Sequence, residues 1–379
     1  MEVYLDNSST TYTDPEVLEA MLPYFTEKYG NPHSGHTQGK TALIAVDESR
    51  ETISKILNCR ESEIIFTGTG TESNNIAILG YARANKDKGK HIITCGLEHS
   101  SVIQPFKHLE KEGFSATFLQ PNSEGFITPE QVEEAITSET ILVSIQYASN
   151  EIGTIQPIAE IGKILQEKEI TFHTDACQAG AYLPLNIKEL NCNLLTLNGS
   201  KLYGPKGIGT LYIKRGINLE PISFGGTHEQ GLRSGTLNVP GIVGLAKALE
   251  IAQEKREKEV PRLTNLRDTF FETIKTALPE IKRNSPSENC LPNNLNIQIP
   301  TIIAAELLLH LDNVGIACSA SSACNTGKDN PSHVLISIGL SKPGVLSSLR
   351  FTLGRNTTEE EMSYAAEKLI EITQKLLEK

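Results

Sequence analysis

The chain has 379 residues, 39% of them hydrophobic and 21% charged, and carries a formal net charge of −11. That length suggests two or three domains around a large core. The acidic balance argues against direct nucleic-acid binding, which needs clustered Lys and Arg, and no apolar run approaches a membrane span.

The chain opens as a strand, Met1-Glu2-Val3-Tyr4-Leu5, without the regions of a signal peptide, so a cytoplasmic location is expected. A strand at Glu63–Gly68 runs into "FTGTGTESNN", Phe66–Asn75, and a helix over Thr71–Ala84. Gly68 and Gly70 let backbone approach a ligand, and the N–H groups at the helix start could hold phosphate. The same residues also fit a plain strand–helix turn capped by Thr. After the strand His91–Gly96 comes His99, a ring that could stack on a planar ligand or serve only structure.

Further apolar strands are expected at Ile141–Tyr147, Ile170–Ala176, Asn193–Gly199 and Ile208–Lys214, with helices such as Ile158–Lys168 between them. Apolar strands alternating with helices give a mostly parallel sheet covered on both faces. Asn150 and Gln178 are amides able to bond a ring hydroxyl. Asp175 ends a strand, where ligand sites of open α/β sheets lie, although an N-cap Asp is common there too. Lys201 directly follows a strand in a Gly, Ser and Pro loop, where desolvation would make its amine a nucleophile. Lys206, between Pro205 and Gly207, reads as a solvated turn lysine. A phosphate-binding turn, a strand-end Asp and a lysine are the set that pyridoxal phosphate requires: the lysine forms the Schiff base and the Asp keeps the pyridine nitrogen protonated.

Near residue 245 the pattern changes. Leu245–Glu259 reads as a charged helix ending before Pro261, and Arg262–Leu278 as a second helix. A strand over Asn293–Ile299, a helix around Ala304–Leu311, a strand within Leu346–Gly354 and a final helix follow. The last opens with the capping-box pattern Thr358-Glu359-Glu360-Glu361. Arg350 alternates with apolar neighbours; its planar fork fits the carboxylate of an amino acid, or a structural ion-pair partner. The division expected is a large α/β domain over 16–255 and a smaller α+β domain from 1–15 and 256–379.

Seven cysteines occur, with no C-x-x-C, so neither a disulfide framework nor a zinc site is indicated. Cys318 and Cys324 lie in "GIACSASSACNTGKDNPSHVL". Cys318 follows Val314–Ala317 and reads as packing. Cys324 begins a stretch with no aliphatic side chain until Val334, which gives it nothing to pack against.

With these motifs assembled, the chain resembles the cysteine desulfurases, pyridoxal-phosphate enzymes of the class V aminotransferase fold. "YLDNSSTT", "YGNPHSGH", "TGTGTESNN", "EH", "NEIGT", "DACQ", "KLYGPKGIG", "GLRSGT", "SSAC" with "PSHVL", and "LRFTLGR" follow in the family's order over essentially the whole length. The resemblance implies an aspartate aminotransferase-like, fold type I architecture with a seven-stranded, mostly parallel sheet. It implies that Lys201 carries the Schiff base, Asp175 pairs with the pyridine nitrogen and His99 stacks on the ring. Gly70 and Thr71 would hold the phosphate with Asn198 and Ser200, and Asn150 and Gln178 would contact the ring oxygen. Arg350 and Asn31 would bind the carboxylate of L-cysteine. Cys324, on a loop spanning about 318–332, would be the nucleophile. It would take the sulfur as a persulfide, releasing alanine, and pass it to an iron–sulfur scaffold protein or a tRNA-thiolating enzyme. A homodimer is implied, with Thr236 reaching the phosphate of the other subunit.

The chain departs from the family in three places. Asn198-Gly199-Ser200-Lys201 stands where the family reads Ser-x-His-Lys, which suggests a weaker hold on phosphate. His228 replaces a Gln, and Cys177 replaces a small residue, as expected of core packing. Two alternatives stay open: a same-fold cystine or selenocysteine lyase that needs no protein thiol, and a weakly catalytic sulfur-transfer scaffold.

Overall fold

The computed structural model describes residues 1–320 and 331–378. Seven strands form the main sheet: β2 (Ile64–Thr67), β3 (His91–Cys95), β4 (Ser115–Leu119), β5 (Thr140–Ser144), β6 (Thr171–Asp175), β7 (Leu194–Asn198) and β8 (Gly209–Ile213). Their order is β2-β8-β7-β6-β5-β3-β4, and every pairing is parallel except those of β8. β3, β5, β6 and β8 are buried along their whole length. Helices on both faces explain why these strands read as continuous apolar runs rather than alternating ones.

Six of the seven strands are visible in that apolar pattern. The seventh, β4, is an edge strand whose first four residues are exposed or half-buried, so no apolar run marks it.

A second sheet has the order β12 (Ser319–Ala320), β13 (Ser348–Thr352), β10 (Asn294–Gln298) and β9 (Lys282–Arg283), all antiparallel. A two-stranded pair joins β1 (Val3–Tyr4) to β11 (Ile316–Ala317). The N-terminal strand therefore lies beside the last third of the chain. The final helix, Glu359–Leu377, starts with the expected capping box at Thr358 and Glu361.

One reading is corrected. Leu245–Glu259 and Arg262–Leu278 are not separate helices: Val239–Ala277 is a single helix of 39 residues with Pro261 inside it. At 1.5 Å per residue it runs about 58 Å. Pro261 costs one backbone hydrogen bond, but Leu263, Leu266, Phe270 and Ile274 beyond it are buried, and their packing carries the helix through. The stretch expected as one helix over Thr71–Ala84 is continuous but not uniform. It is α-helical over Gly70–Asn75, a π-helix over Ile76–Gly80, and α-helical again over Tyr81–Ala84.

Candidate active site

The residues singled out in the sequence converge beyond the carboxyl ends of the parallel strands. His99 follows β3, Asn150 follows β5, Asp175 ends β6, Asn198 ends β7, and Lys201 follows β7. This is where ligands bind in open α/β sheets. The cavity there measures about 980 Å³. Gly70, Thr71, His99, Asn150, Asp175, Gln178, Asn198, Lys201 and Arg350 all line it.

Asp175 is buried at the cavity floor. Its Oδ1 accepts the Cys177 N–H at 2.9 Å, and its Oδ2 accepts from Asn74 Nδ2 at 2.7 Å. His99 caps the helix Ser100–Lys111 through its Nδ1. The ring opens into the cavity, yet protein crowds it, and that desolvation lowers its pKa; the Asp175 charge opposes the effect, while Lys201 and His333 add to it. Lys201 Nζ donates to the Ser9 carbonyl. The N-terminal segment thereby forms the wall behind the lysine, and Thr11 N–H adds a bond to Ser200 O at 2.9 Å. Lys206 lies outside the cavity lining and reaches the Thr11 carbonyl at 3.4 Å.

Arg350 is buried on β13, opposite Asn296 of β10. Its fork is already engaged: Nη1 donates to Asn150 O at 3.0 Å, and Nη2 to Asp6 Oδ1 at 2.8 Å and Ser9 Oγ at 2.9 Å. It is therefore both a cavity residue and half of a part-buried ion pair, and the two readings of it coexist. Gln178 donates to Ser8 O at 3.0 Å.

Three expected site residues do not line the cavity. Ser200 lies beside it and accepts from Asn198 Nδ2 at 3.2 Å. Asn31 and Thr236 are exposed and stand away from it. Cys324 lies outside the described residues. Cys177, expected as core packing, instead lines the cavity beside Asp175; burial holds its thiol protonated, well above the ordinary range. The packing role read for Cys318 agrees with a thiol pushed up to about 12 by burial.

The structure adds residues that sequence reasoning passed over. Asn74 and Ser101 join Asp175 to His99. Glu98 is fully buried; its Oε1 accepts the Gln146 N–H at 2.6 Å, and burial, helped by the Asp175 charge, pushes its carboxyl well above the usual range. Glu151 meets Ser332 Oγ at 2.5 Å, and burial raises its pKa too. His333 Nε2 donates to Glu98 O at 2.8 Å. Glu98, Glu151, Ser332 and His333 sit within motifs that the sequence displays, but nothing in their spacing shows that they meet.

These residues fit pyridoxal phosphate on the chemistry of the donor set. One cavity gathers an amine, a strand-end carboxylate held by two N–H donors, an imidazole open to the interior and a helix start at Gly70. The space beside Gly70 is tight: a Cβ added there would stand 2.7 Å from Cys177 Sγ, so only glycine permits this approach.

The fold and this cavity place the chain among the pyridoxal-phosphate-dependent enzymes, and it belongs to the class V aminotransferase family, whose family model, "Aminotransferase class-V", matches residues 3–364. Among its relatives, the "Cysteine desulfurase IscS" of Clostridium botulinum (strain Hall / ATCC 3502 / NCTC 13319 / Type A) is 48% identical over 98% of this chain and 94% of its own length. The protein of the same name from Methanosarcina thermophila is 46% identical over 99% of this chain and 92% of its own length. Among solved structures, a "NIFS-LIKE PROTEIN" superposes with a TM-score of 0.93 at 35% identity, covering 99% of this chain and 100% of its own. "SspA in complex with cysteine" gives a TM-score of 0.81 at 37% identity, covering 93% of this chain and 98% of its own.

Proposed function

We infer that the chain is a pyridoxal-phosphate-dependent cysteine desulfurase that removes sulfur from L-cysteine and releases L-alanine. The observation that carries the reading is the convergence of Lys201, Asp175 and His99 on one cavity at the strand ends of this fold. When bound, the cofactor supplies an electron-accepting ring to the carbon that bears the substrate's amino group.

The chain's own residues supply the rest. Lys201 would hold the cofactor covalently and, once released, carry the α-proton, since its amine stands on the short turn after β7. Asp175 is an acceptor for the pyridine nitrogen, fixed in place by Asn74 and Cys177. The face of His99 would cover the ring. Gly70 and Thr71 would hold the phosphate with Asn198 and Ser200, and Asn150 and Gln178 would meet the ring oxygen. The Arg350 fork faces the side where a substrate carboxylate would lie, with Asp6 as the charge it must share, and Asn31 is assigned to the same carboxylate. The Cys324 thiolate attacks the substrate sulfur. The new S–S bond forms as the C–S bond breaks, its electron pair passing to carbon, which is then protonated to alanine. Cys324 is left as a persulfide.

That sulfur would go to an iron–sulfur scaffold protein or a tRNA-thiolating enzyme in the cytoplasm. No helix among the described residues is long and apolar enough to cross a membrane. A homodimer would bring Thr236 to the partner's phosphate site. In support, the large apolar side chains Leu18, Leu22, Phe25 and Tyr29 are 46% to 69% exposed on adjoining segments, surface that a partner subunit would cover.

The test is incubation with labelled cysteine, followed by mass spectrometry of the Cys324 peptide and an assay for alanine. One labelled sulfur on Cys324 and one alanine per turnover are expected. If Cys324→Ser keeps the wild-type rate on cysteine, the chain is a lyase that needs no protein thiol. If the cofactor-loaded protein makes no alanine, it is a scaffold.

A further inference from the structure

We propose that Asn74 and Ser101 are positioning residues that fix which nitrogen of His99 carries its proton, a role that rests on the desulfurase reading above. They come from two helices that pack against each other, Gly70–Asn75 and Ser100–Lys111. Neither touches the substrate in this role; both act through His99.

The relay begins at Asp175. Asn74 is fully buried, and its amide nitrogen donates to Asp175 Oδ2 at 2.7 Å and to Ser101 Oγ at 2.8 Å. An ionised carboxylate only accepts hydrogen bonds. Turning the Asn74 amide over would set its oxygen against that carboxylate, so Asp175 fixes the orientation. The cost is visible: Asn74 Oδ1 is buried and finds no partner among the described residues.

The direction then passes to Ser101. Its hydroxyl oxygen receives the Asn74 hydrogen, which leaves its own proton for His99 Nδ1, 2.8 Å away. The backbone N–H of Ser101 points at the same nitrogen from 3.1 Å. Two donors on Nδ1 leave no place there for a ring proton, so the neutral imidazole carries it on Nε2. His99 thereby presents an N–H, not a lone pair, from its far edge.

The relay also opposes the imidazolium form, because protonating Nδ1 would set its new N–H against the N–H of Ser101 and turn the hydroxyl away. The groups that face the ring divide. Asp175 favours the cation, Lys201 and His333 favour the neutral ring, and Glu98 beside it is held toward its uncharged acid by burial.

Selective ¹⁵N labelling of histidine in the cofactor-loaded protein reads the tautomer, with His99→Gln used to assign the signals. The wild type should show a pyridine-like Nδ1 and a pyrrole-like Nε2. In Ser101→Ala, the His99 titration should move up by about half to one pH unit, the equivalent of one lost neutral hydrogen bond. The acid limb of kcat/KM should move with it, and Ser101→Thr should restore both. A purely structural role would lower the rate at every pH and leave the titration where it was. A pyrrole-like Nδ1 in the wild type overturns the relay, and that spectrum depends on no buried variant folding. So does an unmoved His99 titration in Ser101→Ala. Alanine formation by the wild type is measured separately, so the relay can fail while the desulfurase reading stands.

Discussion

Asn198 gives one of its amide hydrogens to Ser200, 3.2 Å away. In related enzymes the corresponding Ser and His would turn toward phosphate; here part of that capacity is used between the two residues. Ser200 does not reach the cavity lining. Hydrogen bonds to a charged group are worth about 1.5–3 kcal/mol each. The double change Asn198→Ser and Ser200→His should therefore slow cofactor dissociation by about tenfold, the lower end of that range. Stopped-flow transfer of the cofactor to an apo-acceptor measures it; an unchanged rate would mean that the departures do not weaken the hold. Residues of this scale were legible where they were costly. A lysine after a strand, a carboxylate at a strand end and an arginine among apolar neighbours each demand an explanation. Asn74 and Ser101 demand none, because amides and hydroxyls at helix starts are cheap and common. Only the fold brings Asn74 to Asp175, 101 positions on.

At the scale of elements, β6 shows what a buried polar strand needs. His173 is fully buried at its centre and is bonded to Ser144 of β5 at 2.8 Å and Thr196 of β7 at 3.1 Å. It stitches three adjacent strands through side chains. Burial lowers its pKa to about 4, so the folded protein holds it neutral. The unfolded chain takes up a proton near 6.5, whereas the folded chain does so only near 4. The stability it contributes is complete above pH 6.5, falls away as pH drops toward 4, and is flat below. The loss should come to roughly 3 kcal/mol. Urea unfolding of the wild type and His173→Gln at pH 7.0 and 4.5 tests this: the variant should lose less stability between the two by about 2 kcal/mol, the part of the loss reached before pH 4, and equal losses would refute it. Elements were legible where burial was uniform, as in β3, β5 and β6. They were not where packing overrode a local signal: Pro261 marks a helix end in sequence, and the apolar face beyond it keeps the helix going.

At the scale of the whole molecule, the cavity accounts for most of the site from one chain and leaves Thr236 and Asn31 outside it, exposed. Sequence motifs cannot show that a residue works in a neighbouring subunit, because order along a chain carries no information about which copy it faces. If the molecule is the homodimer proposed, each site is built from two chains, and two defects placed in different chains can complement each other. Lys201→Ala removes the amine from its own site but still offers Thr236 to its partner. Thr236→Ala keeps Lys201 but gives its partner an incomplete phosphate site. In mixed dimers, one of the two sites recovers both residues. Random pairing of equal amounts makes half the dimers mixed, so about a quarter of the wild-type sites should be intact. Assayed at limiting cofactor, where the Thr236 contact decides occupancy, the mixture should exceed the mean of the two parents after unfolding and reassociation together. It should match that mean when they are reassociated separately and then combined. Equal rates in the two mixtures would place Thr236 in its own chain's site or in none.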